Sequence, residues 1–237
     1  MSDVFKFKQF SIEQTECSMK VGTDGVLLGA WVEATGCHTI LDIGTGTGVI
    51  ALMQAQKNSA AKIIAVEIDD KAAQEAQKNV RNSRWANNIT VVHQSIQDFA
   101  NQTEEYFDHI ISNPPFFTGG TLSSSQNKTD VRHTIKLSHN ALLGAVRNLI
   151  SPQGSFSLIL PDIEGYRCIE LAKTYNLYPK KVTEVYPDQD KPLERLLISF
   201  GKSEHPYQTD TLYIRDAKTK DFSQGYKSLT KDFYLKF

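Results

Sequence analysis

From Thr39 onward, short apolar runs alternate with longer stretches of helical periodicity. Thr39-Ile40-Leu41-Asp42-Ile43 is apolar but for one acid and runs into glycines, the pattern of a buried strand. Val49, Ile50, Leu52 and Met53 form a helical stripe over Val49 to Lys57. Lys62 to Glu67 predicts a second strand, Ile89 to Val92 a third and Phe107 to Ile111 a fourth. The Ala-rich stretch from Lys71 to Arg84 is a strong helix former, with Asp69 and Asp70 placed to favour its N-terminus. Leu137 to Ile150 reads as an amphipathic helix and Gly154 to Leu160 as the next strand.

Strands joined by crossover helices imply an α/β, doubly wound, mostly parallel sheet. Near the end the rhythm changes. Lys181 to Tyr186 and Leu193 to Phe200 flank the polar turn Pro187 to Pro192, with no helix between them. They predict an antiparallel hairpin at one edge, giving seven strands in all. Residues 37–200 then form the core, 1–36 an N-terminal extension, and 201–237 a C-terminal extension. That last piece carries Tyr207, Tyr213, Phe222, Tyr226, Phe233, Tyr234 and Phe237 among lysines, so it is expected to pack on the core. Thr118 to Thr134 is polar, rich in Gly and Ser, and too long for an ordinary connection; such loops are lids or disordered.

Composition narrows the class. Of 237 residues, 40% are hydrophobic and 22% charged, an ordinary globular balance. No apolar run approaches the roughly 20 residues that span a bilayer, and the N-terminus lacks a signal-peptide layout, so a cytoplasmic protein is expected. Cys17, Cys37 and Cys168 are dispersed, without CxxC pairs or His at ligand spacing, which argues against a disulfide framework or a metal site. The net charge of −1 requires any polyanion to meet a local basic patch.

The strongest local signal is Asp42-Ile43-Gly44-Thr45-Gly46-Thr47-Gly48, between a predicted strand and a predicted helix. Glycines permit a tight turn and close approach to a ligand, and a helix N-terminus offers free N–H groups. In a doubly wound sheet this is the crevice outside the strand ends. A dinucleotide-dependent oxidoreductase would share the fold, but its G-x-G-x-x-G fingerprint fails here because Val49 stands at the third glycine. Glu67 ends the next strand, where an acid can accept from two ribose hydroxyls; Ile68 beside it could pack on adenine. The run resembles the first motif of class I methyltransferases, which implies S-adenosylmethionine lying against the turn and Asp42 managing its ammonium group. In that pattern Asp98, after the third strand, accepts from the adenine amino group.

The fourth strand runs into Ser112-Asn113-Pro114-Pro115-Phe116-Phe117. Two prolines after a buried strand make a stiff turn that fixes carbonyl directions. The run resembles the Asn-Pro-Pro-aromatic motif of amino methyltransferases, which act on N6 of adenine, N4 of cytosine, N2 of guanine or the amide of glutamine. An sp² amino nitrogen is a poor nucleophile. Acceptors at the Asn113 side chain and the Pro114 carbonyl would position it and stabilise the charge that develops on it. Phe116 can stack on the ring, worth roughly 1–3 kcal/mol.

Both chain ends discriminate further. Met19-Lys20-Val21-Gly22-Thr23-Asp24-Gly25-Val26-Leu27-Leu28-Gly29-Ala30-Trp31 and Leu229-Thr230-Lys231-Asp232-Phe233-Tyr234-Leu235-Lys236-Phe237, with the core between, resemble the bacterial tRNA(Val) (adenine-N6)-methyltransferase family. The resemblance implies methylation of the adenine at position 37, just 3′ of the anticodon, and a cofactor pocket to which Lys20, Thr23 and Asp24 contribute. A flipped adenine from the anticodon loop would enter between cofactor and Asn113. Pro115, Phe117, Arg132, His133 and Lys231 are the further expected RNA contacts. A monomer without a stable protein partner is expected. Glutamine methyltransferases acting on release factors share the core, but generally carry Tyr where Phe116 stands and a helical domain before it. Methylation of rRNA or DNA, and a non-catalytic RNA-binding module, are the other readings.

Overall fold

A computed structural model describes residues 4–17, 20–115 and 137–236. The chain opens with the short strands β1 (Val4–Lys6) and β2 (Ser11–Glu13), paired antiparallel, then α1 (Thr23–Trp31). The predicted alternation follows: β3 (Thr39–Ile43), α2 (Val49–Lys57), β4 (Lys62–Glu67), α3 (Asp70–Arg81), β5 (Ile89–His93), α4 (Ile96–Gln102) and β6 (Phe107–Ser112). Then come α5 (His139–Leu149), β7 (Ile150–Pro161), α6 (Asp162–Lys173), β8 (Tyr178–Tyr186), β9 (Arg195–Gly201), β10 (Gln208–Tyr213) and α7 (Gln224–Thr230).

Among the described residues the main sheet has eight strands, in the order β10-β8-β9-β7-β6-β3-β4-β5. All run parallel except β9, which pairs antiparallel with both β7 and β8. The expected hairpin exists, but two features correct the seven-stranded reading. β9 slots in beside β7, and β10 adds itself to β8 from the C-terminal extension, so the hairpin is not the edge. β10 escapes sequence detection because Gln208-Thr209-Asp210-Thr211 is polar on both faces, as suits an exposed edge strand.

The sheet separates two apolar layers. On one side α1, α2, α7 and the N-terminal hairpin bury Val26, Leu27, Leu52, Met53, Phe7 and Tyr226. On the other, α4, α5 and α6 bury Phe99, Leu142, Val146, Cys168 and Ile169. α1 offers no amphipathic stripe because Gly25 through Ala30 are all buried; its sequence is apolar all round. Gly29 permits this packing, since a Cβ there would stand 2.6 Å from the Met53 sulfur. Asp69 caps α3, its side chain accepting from the Ala72 N–H.

Candidate active site

Asp42, Glu67 and Asp98 stand at or just beyond the C-terminal ends of three neighbouring strands, β3, β4 and β5. After β3 the chain turns through Gly44, at φ 70°, with nothing within 4 Å of the space a side chain would fill. Gly48, at φ 82°, is the N-cap of α2. A residue with a Cβ at either position would be strained. At Gly44 the turn therefore presents bare backbone to open space.

Asp42 lies beneath this turn, 1% exposed. Its Oδ2 accepts from Thr45 Oγ1 at 2.6 Å, while Oδ1 is buried with no hydrogen-bond partner among the described residues. Burial pushes its carboxyl up to about 7, with the nearby Glu67 charge adding to the shift. A buried acid with one orphaned oxygen is suited to a cationic neighbour that would restore its charge. Glu67 is differently placed. Its Oε2 accepts from Gly46 N at 2.9 Å, and its Oε1 from Ile68 N at 2.8 Å and Asp69 N at 3.0 Å. The carboxylate thus ties the glycine turn to the turn before α3. Three of about four acceptor sites are filled, leaving Oε2 the freer oxygen for a hydroxyl donor. Ile68 next to it is 54% exposed, an apolar surface at the rim. Asp98 sits in the first turn of α4, paired with the Ser95 hydroxyl at 2.6 Å.

Ser112 closes β6 against β3, its Oγ donating to the Ile43 carbonyl at 3.0 Å. Asn113 follows. Its Oδ1 is buried and without a hydrogen-bond partner among the described residues. Its Nδ2 lies 3.8 Å from where a Cβ on Gly25 would stand, so the start of α1 abuts it. Pro114 is buried and Pro115 half-buried. Phe116, Phe117, Arg132 and His133 lie outside the described residues.

The N-terminal extension reaches the same crevice. Lys20 and Thr23 are exposed just before and at the start of α1, and Asp24 is half-buried. The Asp24 carboxylate accepts from Arg195 Nε at 3.0 Å. Arg195 opens β9 opposite Pro161 of β7, and so stands at the same end of the sheet as Asn113. Sequence reasoning missed Arg195. Only the antiparallel insertion of β9 brings its first residue to the strand ends, and no local motif signals it. Lys231 goes elsewhere. Gln56, in the last turn of α2, donates to the Asp232 carbonyl, which places Lys231 at the end of α2 remote from the glycine turn.

A glycine turn, a row of strand-end acids and an orphaned carboxamide after β6 are what a methyltransferase presents. The family model described as the methyltransferase small domain matches residues 19–169. A tRNA1(Val) (adenine(37)-N6)-methyltransferase of Photobacterium profundum is 42% identical across 100% of both chains. One from Bacteroides fragilis is 41% identical over 98% of each. The chain belongs to the tRNA1(Val) (adenine(37)-N6)-methyltransferase family. Among solved structures, a predicted O-methyltransferase of Agrobacterium tumefaciens superposes with a TM-score of 0.66 at 19% identity, covering 89% of this chain and 96% of that one, and shares the fold.

The Asp42 carboxyl gives a pH prediction. Its folded value near 7 lies above the unfolded value near 3.8, so the native state binds the extra proton between them. Stability without ligand therefore falls as pH rises from about 4 to about 7, and levels off above. Asp42→Asn should remove this slope and melt higher than wild type at pH 8, the gap closing toward pH 4. It should also weaken donor binding. A pH series of thermal melts checks it; parallel curves for the two proteins would refute the buried-acid account.

Proposed function

We propose that the protein transfers a methyl group from S-adenosylmethionine to the exocyclic N6 of adenine 37 in a valine tRNA. The observation that carries this reading is the Asn113 carboxamide oxygen, buried without a partner among the described residues, beside the first turn of α1. An acceptor held there at a desolvation cost of about 1–3 kcal/mol needs a donor, and an adenine amino group supplies one. The relatives' names supply the base and the tRNA.

S-adenosylmethionine supplies an electrophilic methyl on a positively charged sulfonium. The residues fit that group: the bare backbone at Gly44 would accommodate it, the buried Asp42 carboxyl would balance its positive charge, and Glu67 and Ile68 provide a carboxylate and an apolar surface side by side. In this reading Asp98 and the stretch Lys20, Thr23 and Asp24 complete the donor pocket. Asn113 Oδ1 and the Pro114 carbonyl accept the two amino hydrogens. They orient the nitrogen for in-line attack and stabilise the positive charge it acquires. No side chain has to remove a proton before the methyl moves. Phe116 and Phe117, next in the chain, are the rings for stacking on the base. Arg195, fixed by Asp24, is a cation at the crevice suited to a phosphate of the splayed loop. Among the described residues no helix is long and apolar enough to cross a membrane; we place the enzyme in the cytoplasm, acting as a monomer.

The test is transfer of labelled methyl to bulk tRNA, set against DNA and a release factor, followed by nucleoside analysis. N6-methyladenosine in tRNA alone is expected. Label in the release factor or in DNA would overturn the substrate assignment.

A further inference from the structure

The segment Ser11–Cys17 precedes every recognised motif, yet two buried side chains of α3 are devoted to it. Glu75, 5% exposed, accepts on Oε1 from Thr15 N at 2.6 Å, Thr15 Oγ1 at 3.1 Å and Glu16 N at 3.0 Å, and on Oε2 from Cys17 N at 2.8 Å. A buried carboxylate is tolerated only with such a full set of donors. Asn79, 2% exposed, accepts from Glu13 N at 2.8 Å and donates to the Glu13 carbonyl at 2.9 Å. Its amide also donates to the Thr47 carbonyl at 2.9 Å, inside the glycine turn. One side chain thus links the N-terminal segment to the loop between Gly46 and Gly48. The segment reaches that loop directly, since the Cys17 sulfur lies 3.9 Å from where a Cβ on Gly46 would stand. Gln14 then accepts from Val21 N at 2.9 Å, drawing the chain toward α1.

We propose that Glu75 and Asn79 are positioning residues for methyl-donor binding. They hold Ser11–Cys17 against the glycine turn and so fix one wall of the donor pocket without touching the donor. This rests on the reading that the donor lies against that turn. Helix α3 therefore serves two purposes. Its N-terminus follows Glu67, and its inner face anchors the strap that meets the turn at Gly46. Glu75 is suited to this because three successive backbone N–H groups, Thr15 to Cys17, converge on one carboxylate.

Glu75→Gln keeps the shape but turns one acceptor oxygen into an NH2 group facing backbone N–H. We expect a roughly tenfold rise in KM for S-adenosylmethionine and in Kd for S-adenosylhomocysteine by calorimetry, with kcat at saturation within about twofold. Asn79→Asp, which would set an oxygen against two carbonyls, should shift both in the same direction and further than Asn79→Ala. A second readout needs no turnover. Cys17, the last residue of the strap, is buried, and Cys168 lies in the core layer of α4, α5 and α6. Without ligand, a thiol reagent followed by peptide mass mapping should modify Cys17 faster in Glu75→Gln than in wild type, while Cys168 stays protected. Unchanged donor affinity and unchanged Cys17 labelling would overturn the proposal. Cys168 labelling in step with Cys17 would also overturn it, because the substitution would then be loosening the whole domain. If S-adenosylhomocysteine binds wild type but neither protects Cys17 nor is weakened by Asp42→Asn, the donor lies elsewhere, and the reading of the turn fails before this one.

Discussion

Asn113→Ala abolishes methyl transfer, with kcat lowered by at least ~10²–10³-fold, the usual effect of deleting one preorganised polar contact to developing charge. The donor still binds with near-wild-type affinity. The expectation follows from the placement of Oδ1, buried and without a partner among the described residues, after a strand end pinned by the Ser112–Ile43 hydrogen bond. Alanine removes the acceptor and relieves the orphaned oxygen, so the variant should melt no lower than wild type. Loss of activity with an unchanged or raised Tm is the signature of a group held for chemistry rather than for folding. Single-turnover transfer together with calorimetric binding of S-adenosylhomocysteine separates the two effects. Near-normal turnover would remove Asn113 from the reaction.

Deleting Leu229–Phe237 is the second large effect, on the fold itself. Phe233 is 2% exposed and belongs to the core layer shared with α1 and α2. Its carbonyl accepts from Lys8 N at 2.9 Å, and Lys8 Nζ donates to the Lys231 carbonyl at 2.6 Å. Tyr234 packs within 6.3 Å of Phe5 and 6.1 Å of Phe7, ring centre to ring centre. Removing one buried Phe costs about 3–5 kcal/mol, a large share of the 5–15 kcal/mol that hold a typical domain. Phe233→Ala alone should lower Tm by ~10 °C, and the deletion by more. A truncated protein melting within about 2 °C of wild type would show that the tail contributes nothing to the core.

The parallel half of the fold was legible because β3, β4 and β6 are largely buried on both faces and read as nearly continuous apolar runs. β3, α2 and β4 fall at the limits their patterns predict. Where burial is one-sided or absent, the signal fails. β10 is polar along most of its length, and α6, from Asp162 to Lys173, has apolar and charged residues too interspersed to mark a stripe. α1 fails for the opposite cause, being apolar on every side. The site divides in the same way. Asp42, Glu67, Asp98 and Asn113 could be singled out because each lies at or after the end of a recognisable strand. Their actual pairings could not. That Glu67 spends most of its acceptor capacity on backbone, and that Asp24 finds Arg195 across 171 positions of chain, are facts of tertiary contact. Glu75 and Asn79 read only as polar residues of an Ala-rich helix, since the segment they hold lies some 60 residues upstream.

The meeting of the two chain ends has a consequence for biosynthesis. Phe7 emerges from the ribosome long before Tyr234, a ring that stacks on it, whereas Phe10 can meet Trp85 much earlier. At ~5–20 residues per second, the Tyr234 side of the hairpin stays uncovered for many seconds, while the strands of the central sheet are still being made. The strap Ser11–Cys17 finds its anchors much earlier, on α3, so a chain still attached to the ribosome should seat the strap against the glycine turn well before Tyr234 covers the hairpin.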